Sequence, residues 1–303
     1  MLLNVDSAIS SVVTRSARAA IWESVASSTA FMPPSYPAHL RTFEQRCDIC
    51  RYDDQRRRPS PWHTDRMLLH VDESGVGPRT VVLLHGMMGS GESWHRVVPR
   101  LTARGYRVFA LDLPGHGRSA RDPHLTIETA ATSVVETVRS RATDAPVIAV
   151  GHSYGATVLA QAAASLRPAL AVYVDAALSL SGGADRASLV DAYEKDRRAR
   201  SSPEALRTAR PFYSAADAEV EARAAARFDP ETMASVSCGD DREWAPGPAS
   251  ILVRADPSAW VSDDDARRFA RQGGEVRSIP GAAHTIWYSH FDEFTAVLPE
   301  LFG

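Results

Sequence analysis

The chain has 303 residues, 44% of them hydrophobic and 23% charged, which is enough to bury a sizeable core and close to the average for a soluble globular protein. Its formal charge of −3 supplies no net basic field for a nucleic-acid backbone or an anionic membrane surface, so a small-molecule partner is expected. The longest apolar runs, residues 81–84 and 147–150, are strand-sized and far short of the roughly 20 residues that span a bilayer.

Residues 1–62 read as an N-terminal leader, with a helix expected near residues 6–27, a break at Pro33-Pro34 and Pro37, and an Arg56-Arg57-Arg58 run before Pro59. The arginine run could meet an acidic partner, but a solvated surface is the simpler account. Cys47-Asp48-Ile49-Cys50 has the spacing of half a zinc site, with His63 downstream, yet no second C-x-x-C follows, and no metal or redox role is expected. Three cysteines, Cys47, Cys50 and Cys238, are too few for a disulfide framework and suit a reducing cytoplasm.

Residues 63–181 alternate in a different rhythm. Strands are expected at 67–71, 81–84, 106–111, 147–150 and 169–174, with helices at 94–103, 126–139 and 156–166. Strands separated by helices of this length imply right-handed crossovers and a mostly parallel central sheet with helices on both faces, an α/β fold. Residues 182–248 interrupt the rhythm with helices expected at 185–200, 203–210 and 215–227, an inserted helical cap. The alternation resumes in residues 249–303, with strands at 251–254 and 275–279 and helices at 262–272 and 290–301.

Gly151-His152-Ser153-Tyr154-Gly155 falls between an apolar strand and a helix. A sharp strand-to-helix turn strains its central residue and needs glycines on either side, where side chains would collide with their surroundings. Ser153 is thereby lifted above the sheet as a candidate nucleophile, at a helix N-terminus that favours developing negative charge. His85-Gly86-Met87 follows an earlier strand, so the backbone N–H groups of Met87 and Tyr154 are the candidate oxyanion hole. A hydroxyl needs a base to become nucleophilic, and histidine supplies one near neutral pH.

Leu84-His85-Gly86, the segment from Leu111 through Asp112-Leu113-Pro114-Gly115-His116-Gly117-Arg118 to Ser119, the Ser153 turn and Pro280-Gly281-Ala282-Ala283-His284 occur in one order. In that order the chain resembles the α/β-hydrolase fold family over about four fifths of its length, leaving the leader aside. The resemblance implies that His284, in the loop after the last strand, is the catalytic base, and that Asp112 shapes the rim of the site. It leaves two candidates for the acid that orients the histidine. Asp256 follows the strand where the family most often places its acid, although Ser258 occupies the usual position within that loop. Asp175 ends the preceding strand, where certain lactone hydrolases and lipases of the family place theirs, and it is preferred here.

A nucleophile, a base, an oxyanion hole and a cap imply acyl transfer through an ester on Ser153, with hydrolysis of a carboxylic ester, lactone or thioester expected. Relatives with Asp at the elbow act on haloalkanes or epoxides; Ser153 argues against both. Carbon–carbon bond hydrolysis from the same triad, or a ligand receptor on the same fold, are the alternatives. Phe212, Tyr213, Phe228, Met233 and Trp244 are candidates for lining an apolar substrate pocket or for filling the cap core. No cofactor is implied, since no phosphate loop, dinucleotide fingerprint or clustered metal ligands are evident.

Overall fold

Alternating apolar positions along the central strands feed two separate cores. In the computed structural model, which describes residues 67–141 and 146–303, Val82 and Leu84 turn to one face of the sheet and Val81 and Leu83 to the other, all fully buried. The leader, with its expected helix, cysteine pair, His63 and arginine run, lies outside the described residues.

Seven strands form the main sheet: β1 (Val71–Ser74), β2 (Arg79–Leu84), β3 (Tyr106–Leu111), β4 (Ile148–His152), β5 (Leu170–Val174), β8 (Ser250–Asp256) and β9 (Glu275–Pro280). Their order is β1-β3-β2-β4-β5-β8-β9, parallel throughout except for β1, which runs antiparallel to β3 at one edge. Two short strands, β6 (Ser179–Leu180) and β7 (Arg242–Glu243), pair antiparallel at the base of the cap.

One face of the sheet is covered by α2 (Ile127–Arg141), α3 (Tyr154–Leu166) and α8 (Asp263–Arg271), whose Val134, Val158, Leu159 and Phe269 pack on Phe109 and Tyr173. The other face is covered by a 3-10 turn at Gly91–Trp94, by α1 (Val97–Ala103) and by the C-terminal helices α9 (Ile286–Ser289), α10 (Phe291–Ala296) and α11 (Pro299–Phe302). There Trp94 stacks on Trp287 with ring centroids 4.2 Å apart.

Three expectations need correcting. The strand expected at 67–71 begins only at Val71, because the N–H groups of Leu69 and His70 bond to the hydroxyls of Thr137 and Ser119, each at 2.9 Å, rather than to a ladder. The helix expected at 94–103 is split into the 3-10 turn and α1. The single helix expected at 290–301 is two short ones, α10 and α11, preceded by the unexpected helical turn α9: His290 leaves helical geometry at φ −138°, and Leu298 does so at φ −124° before Pro299, which disfavours a helical residue ahead of it.

Between β6 and β7 lie α4 (Arg186–Ala199), α5 (Pro203–Ala209), α6 (Ala215–Arg227) and α7 (Pro230–Ser237). The side chains of Asp185, Ser202, Ser214 and Asp229 each accept an N–H from the first turn of one of these helices, and proline opens α5 and α7. Helix α7 was not expected from the sequence. Its N-terminus docks on the rim loop, where the Asp229 N–H donates to the Gly115 carbonyl (2.8 Å) and the Asp122 N–H to the Thr232 hydroxyl (2.9 Å). Gly115, at φ 73°, is pressed so close that an added Cβ would lie 2.6 Å from the Thr232 methyl. The described residues contain no helix long and apolar enough to cross a membrane.

Candidate active site

Between β4 and α3 the chain reverses at Ser153, whose backbone sits at φ 51° and ψ −120°, a conformation that costs on the order of 1–3 kcal/mol for a residue with a side chain. The surrounding bonds hold it there. The Ser153 N–H donates to the Val174 carbonyl at 3.0 Å, and its own carbonyl accepts the Ala156 N–H at 2.9 Å. A Cβ on Gly151 would lie 2.5 Å from the Gly155 carbonyl oxygen, and one on Gly155 would lie 2.4 Å from that of Leu84. Both contacts are to backbone, which has little room to yield. Gly155→Ala is therefore expected to lose about 3 kcal/mol of stability or to be recovered only as aggregate; a denaturation midpoint equal to wild type would show that α3 does not press on the end of β2.

The loop after β2 closes on the same turn. A Cβ at Gly86 would come within 3.2 Å of the Ser153 Cβ, so glycine there lets the Gly86-Met87 segment approach the serine. His85 anchors that segment. Its Nε2 accepts the Leu113 N–H at 3.0 Å, so its proton is on Nδ1, which donates to the Gly86 carbonyl at 2.8 Å. Asp112 lies alongside, buried, its carboxylate accepting the N–H groups of Gly91 (2.7 Å) and Arg118 (2.8 Å). Tyr154 opens α3, where the first N–H groups have no acceptor within the helix.

His284 lies in the loop between β9 and α9, and its Nδ1 is 2.7 Å from Oδ2 of Asp175. A carboxylate can only accept, so Nδ1 carries the proton and Nε2 presents a lone pair. Asp175 is 1% exposed and sits at φ 47° at the end of β5. Its N–H donates to the Val253 carbonyl (2.8 Å), and its Oδ1 accepts the Ala255 N–H (3.1 Å), which fixes the carboxylate. The histidine is fixed as well: Nε2–H of His152 donates to the His284 carbonyl at 3.0 Å, and the two rings lie 4.6 Å apart. His152 thereby links the serine turn to the histidine loop. The Trp260 ring packs 4.8 Å from His284 on another side.

Asp256 stands apart from this pairing. Its half-exposed carboxylate is 3.5 Å from Arg254, which also reaches Asp263 at 2.7 Å. Ser258, at the position where the family's acid usually falls, accepts the N–H groups of Trp260 and Val261, both at 3.0 Å.

Three histidines under the site are fully buried and held neutral. Desolvation lowers His85 to about 4, His116 to about 3 and His152 well below the usual 6.5. The unfolded chain takes up protons at these positions as the pH falls below about 6.5, whereas the folded chain does not until near 4. Stability is therefore full above pH 6.5 and is lost progressively as the pH falls toward the folded values. At about 1.4 kcal/mol per unit, His85 alone withdraws roughly 3 kcal/mol by pH 4. A denaturant midpoint that does not move between pH 6.5 and 4.5, above the range in which most carboxylates titrate, would contradict this.

The expected pocket residues divide. Phe228 and Met233 are buried in the same cluster as Tyr154, with Phe228 5.0 Å from the His116 ring. Tyr213 packs instead against Tyr288 at 5.1 Å, the Trp244 Nε1–H donates to Gln161 at 2.8 Å, and Phe212 is exposed.

Residues 81–297 match the Alpha/beta hydrolase family. The chain belongs to that family. Among curated members, it is similar to Lipase LipV of Mycobacterium tuberculosis, 38% identical over 128 residues that cover 41% of this chain and 47% of the lipase. It is also similar to the pimeloyl-[acyl-carrier protein] methyl ester esterase of Methylococcus capsulatus, 43% identical over 97 residues, 32% of this chain and 35% of that one. These alignments span less than half the length of either relative. Among solved structures, this α/β-hydrolase resembles a bromoperoxidase from Bacillus anthracis, with a TM-score of 0.62 at 20% identity over 77% of this chain and 94% of that one, a likeness of fold.

Proposed function

We propose that this α/β-hydrolase is a serine esterase that cleaves a carboxylic ester or a related acyl bond, a thioester or lactone, of a mid-sized, mainly apolar small molecule. The pairing of His284 with buried Asp175 at 2.7 Å, beside the strained Ser153 turn, carries this reading. Nε2 of His284 takes the proton of Ser153 as Oγ attacks the carbonyl carbon, and the Met87 and Tyr154 N–H groups receive the oxyanion. The tetrahedral intermediate collapses with transfer of that proton to the leaving alcohol, thiol or hydroxyl. Water then attacks the acyl-Ser153 ester, again through His284, and releases the acid and the free serine. Asp175 holds the imidazole in the required tautomer and stabilises its cationic form.

Similarity to a lipase and to a methyl ester esterase supports ester substrates. An epoxide hydrolase of Caballeronia sordidicola is 32% identical over 107 residues, but serine at the elbow favours acyl chemistry here. The test is rapid mixing with p-nitrophenyl acetate and butanoate. A burst of nitrophenol approaching one equivalent per chain, followed by slower turnover, is expected. Absence of both burst and turnover in folded protein would remove the esterase reading in favour of a binding role.

A further inference from the structure

Two buried polar atoms beside the serine turn have no hydrogen-bond partner among the described residues: Nε2 of His116 and the hydroxyl of Tyr154. His116 is 0% exposed and Tyr154 8% exposed, and their rings lie 6.0 Å apart and nearly parallel. The His116 Nδ1–H is committed to the Pro114 carbonyl at 2.9 Å, so Nε2 offers only a lone pair. Burial keeps that imidazole neutral and keeps the Tyr154 phenol un-ionised, so the phenol remains a donor. Around them stand His85, Phe228 and Tyr193, the last with its hydroxyl engaged by Ser237. Leaving both atoms desolvated and unpaired is unfavourable, and a ligand that pairs them recovers that cost.

We propose that His116 and Tyr154 form a subsite for a hydroxyl group on the acyl chain of the substrate, an inference that rests on the esterase reading above. One alcohol satisfies both atoms, donating its proton to Nε2 of His116 and accepting from the Tyr154 hydroxyl. A plain alkyl chain satisfies neither, and a carboxylate brings only lone pairs to a lone pair. The acyl side follows from the two sets of contacts. His284, which protonates the leaving group, packs with His152 and Trp260, whereas His116 packs with His85, Tyr154 and Phe228 on the oxyanion-loop side.

The test compares kcat/KM for ethyl hexanoate and its 2-, 3- and 6-hydroxy counterparts in wild type, Tyr154→Phe and His116→Phe. Wild type is expected to prefer one hydroxy ester about tenfold, the effect of one buried hydrogen-bonded hydroxyl, and each variant to bring that ratio close to one. Tyr154→Phe keeps the ring and the backbone N–H, so it decides the matter if His116→Phe does not fold. A wild-type ratio near one for every hydroxy ester, or a preference that survives in Tyr154→Phe, would overturn the subsite and assign the two atoms to ordered water. Ethyl hexanoate cleaved normally in that case leaves the esterase reading standing; no cleavage of any ester, with Ser153 inert, overturns both.

Discussion

Replacing Ser153 by Ala is expected to lower kcat on a cleavable ester by about a millionfold while leaving the fold intact. The substitution removes one hydroxyl and nothing else that the turn uses. The strained φ of 51° is set by backbone bonds to Val174 and Ala156 and by the close approach of Gly155 to Leu84, all of which alanine keeps. Unfolding free energy should stay within about 0.5 kcal/mol of wild type. Residual rate above the uncatalysed reaction is expected, because the substitution keeps the Met87 and Tyr154 N–H groups proposed to receive the carbonyl oxygen of an ester attacked directly by water. A variant retaining more than about a thousandth of the activity would mean that another group attacks the substrate.

The second large effect separates the two acids. Asp175→Asn is expected to cost about ten-thousandfold in kcat. The Asp175 carboxylate serves two donors at once, the Ala255 N–H on Oδ1 and the His284 Nδ1–H on Oδ2. An asparagine has one oxygen for the pair. If that oxygen stays with Ala255, the amide NH2 faces Nδ1, which must give up its proton, and Nε2 is left protonated and unable to act as a base. Asp256→Asn, at a half-exposed carboxylate paired with Arg254, should change turnover by no more than about twofold and stability by no more than about 0.5 kcal/mol. The reverse pattern, with Asp256→Asn inactive and Asp175→Asn active in folded protein, would reassign the acid.

Much of the architecture is legible in the residues because the α/β alternation and the elbow are local patterns. Continuous apolar runs mark the central strands, and Gly-x-Ser-x-Gly is a short motif at a strand-to-helix boundary, although the need for glycine at Gly155 comes from the distant Leu84 carbonyl. What depends on distant partners is not legible. Thr137 and Ser119 displace the start of β1, and they lie 68 and 49 residues away from the N–H groups they bind. The Asp229-Pro230 start of α7 is a local signal that could have been read as a capped helix. Asp175 and Asp256 end neighbouring parallel strands, β5 and β8, so position along the chain cannot rank them. What separates them is the partner each carboxylate meets in the fold: Asp175 lies between the Ala255 N–H and His284, whereas Asp256 faces Arg254. The partnerless atoms of His116 and Tyr154 appear only once the cap is folded over the rim loop.

The most direct test of a nucleophilic Ser153 is labelling of the folded chain with a fluorophosphonate, followed by mass mapping of the modified peptide. The account predicts one adduct per chain, on Ser153, formed more slowly while an excess of a cleavable ester is present and absent from Ser153→Ala. A folded protein that takes up no label, or one labelled at a different residue, would contradict it.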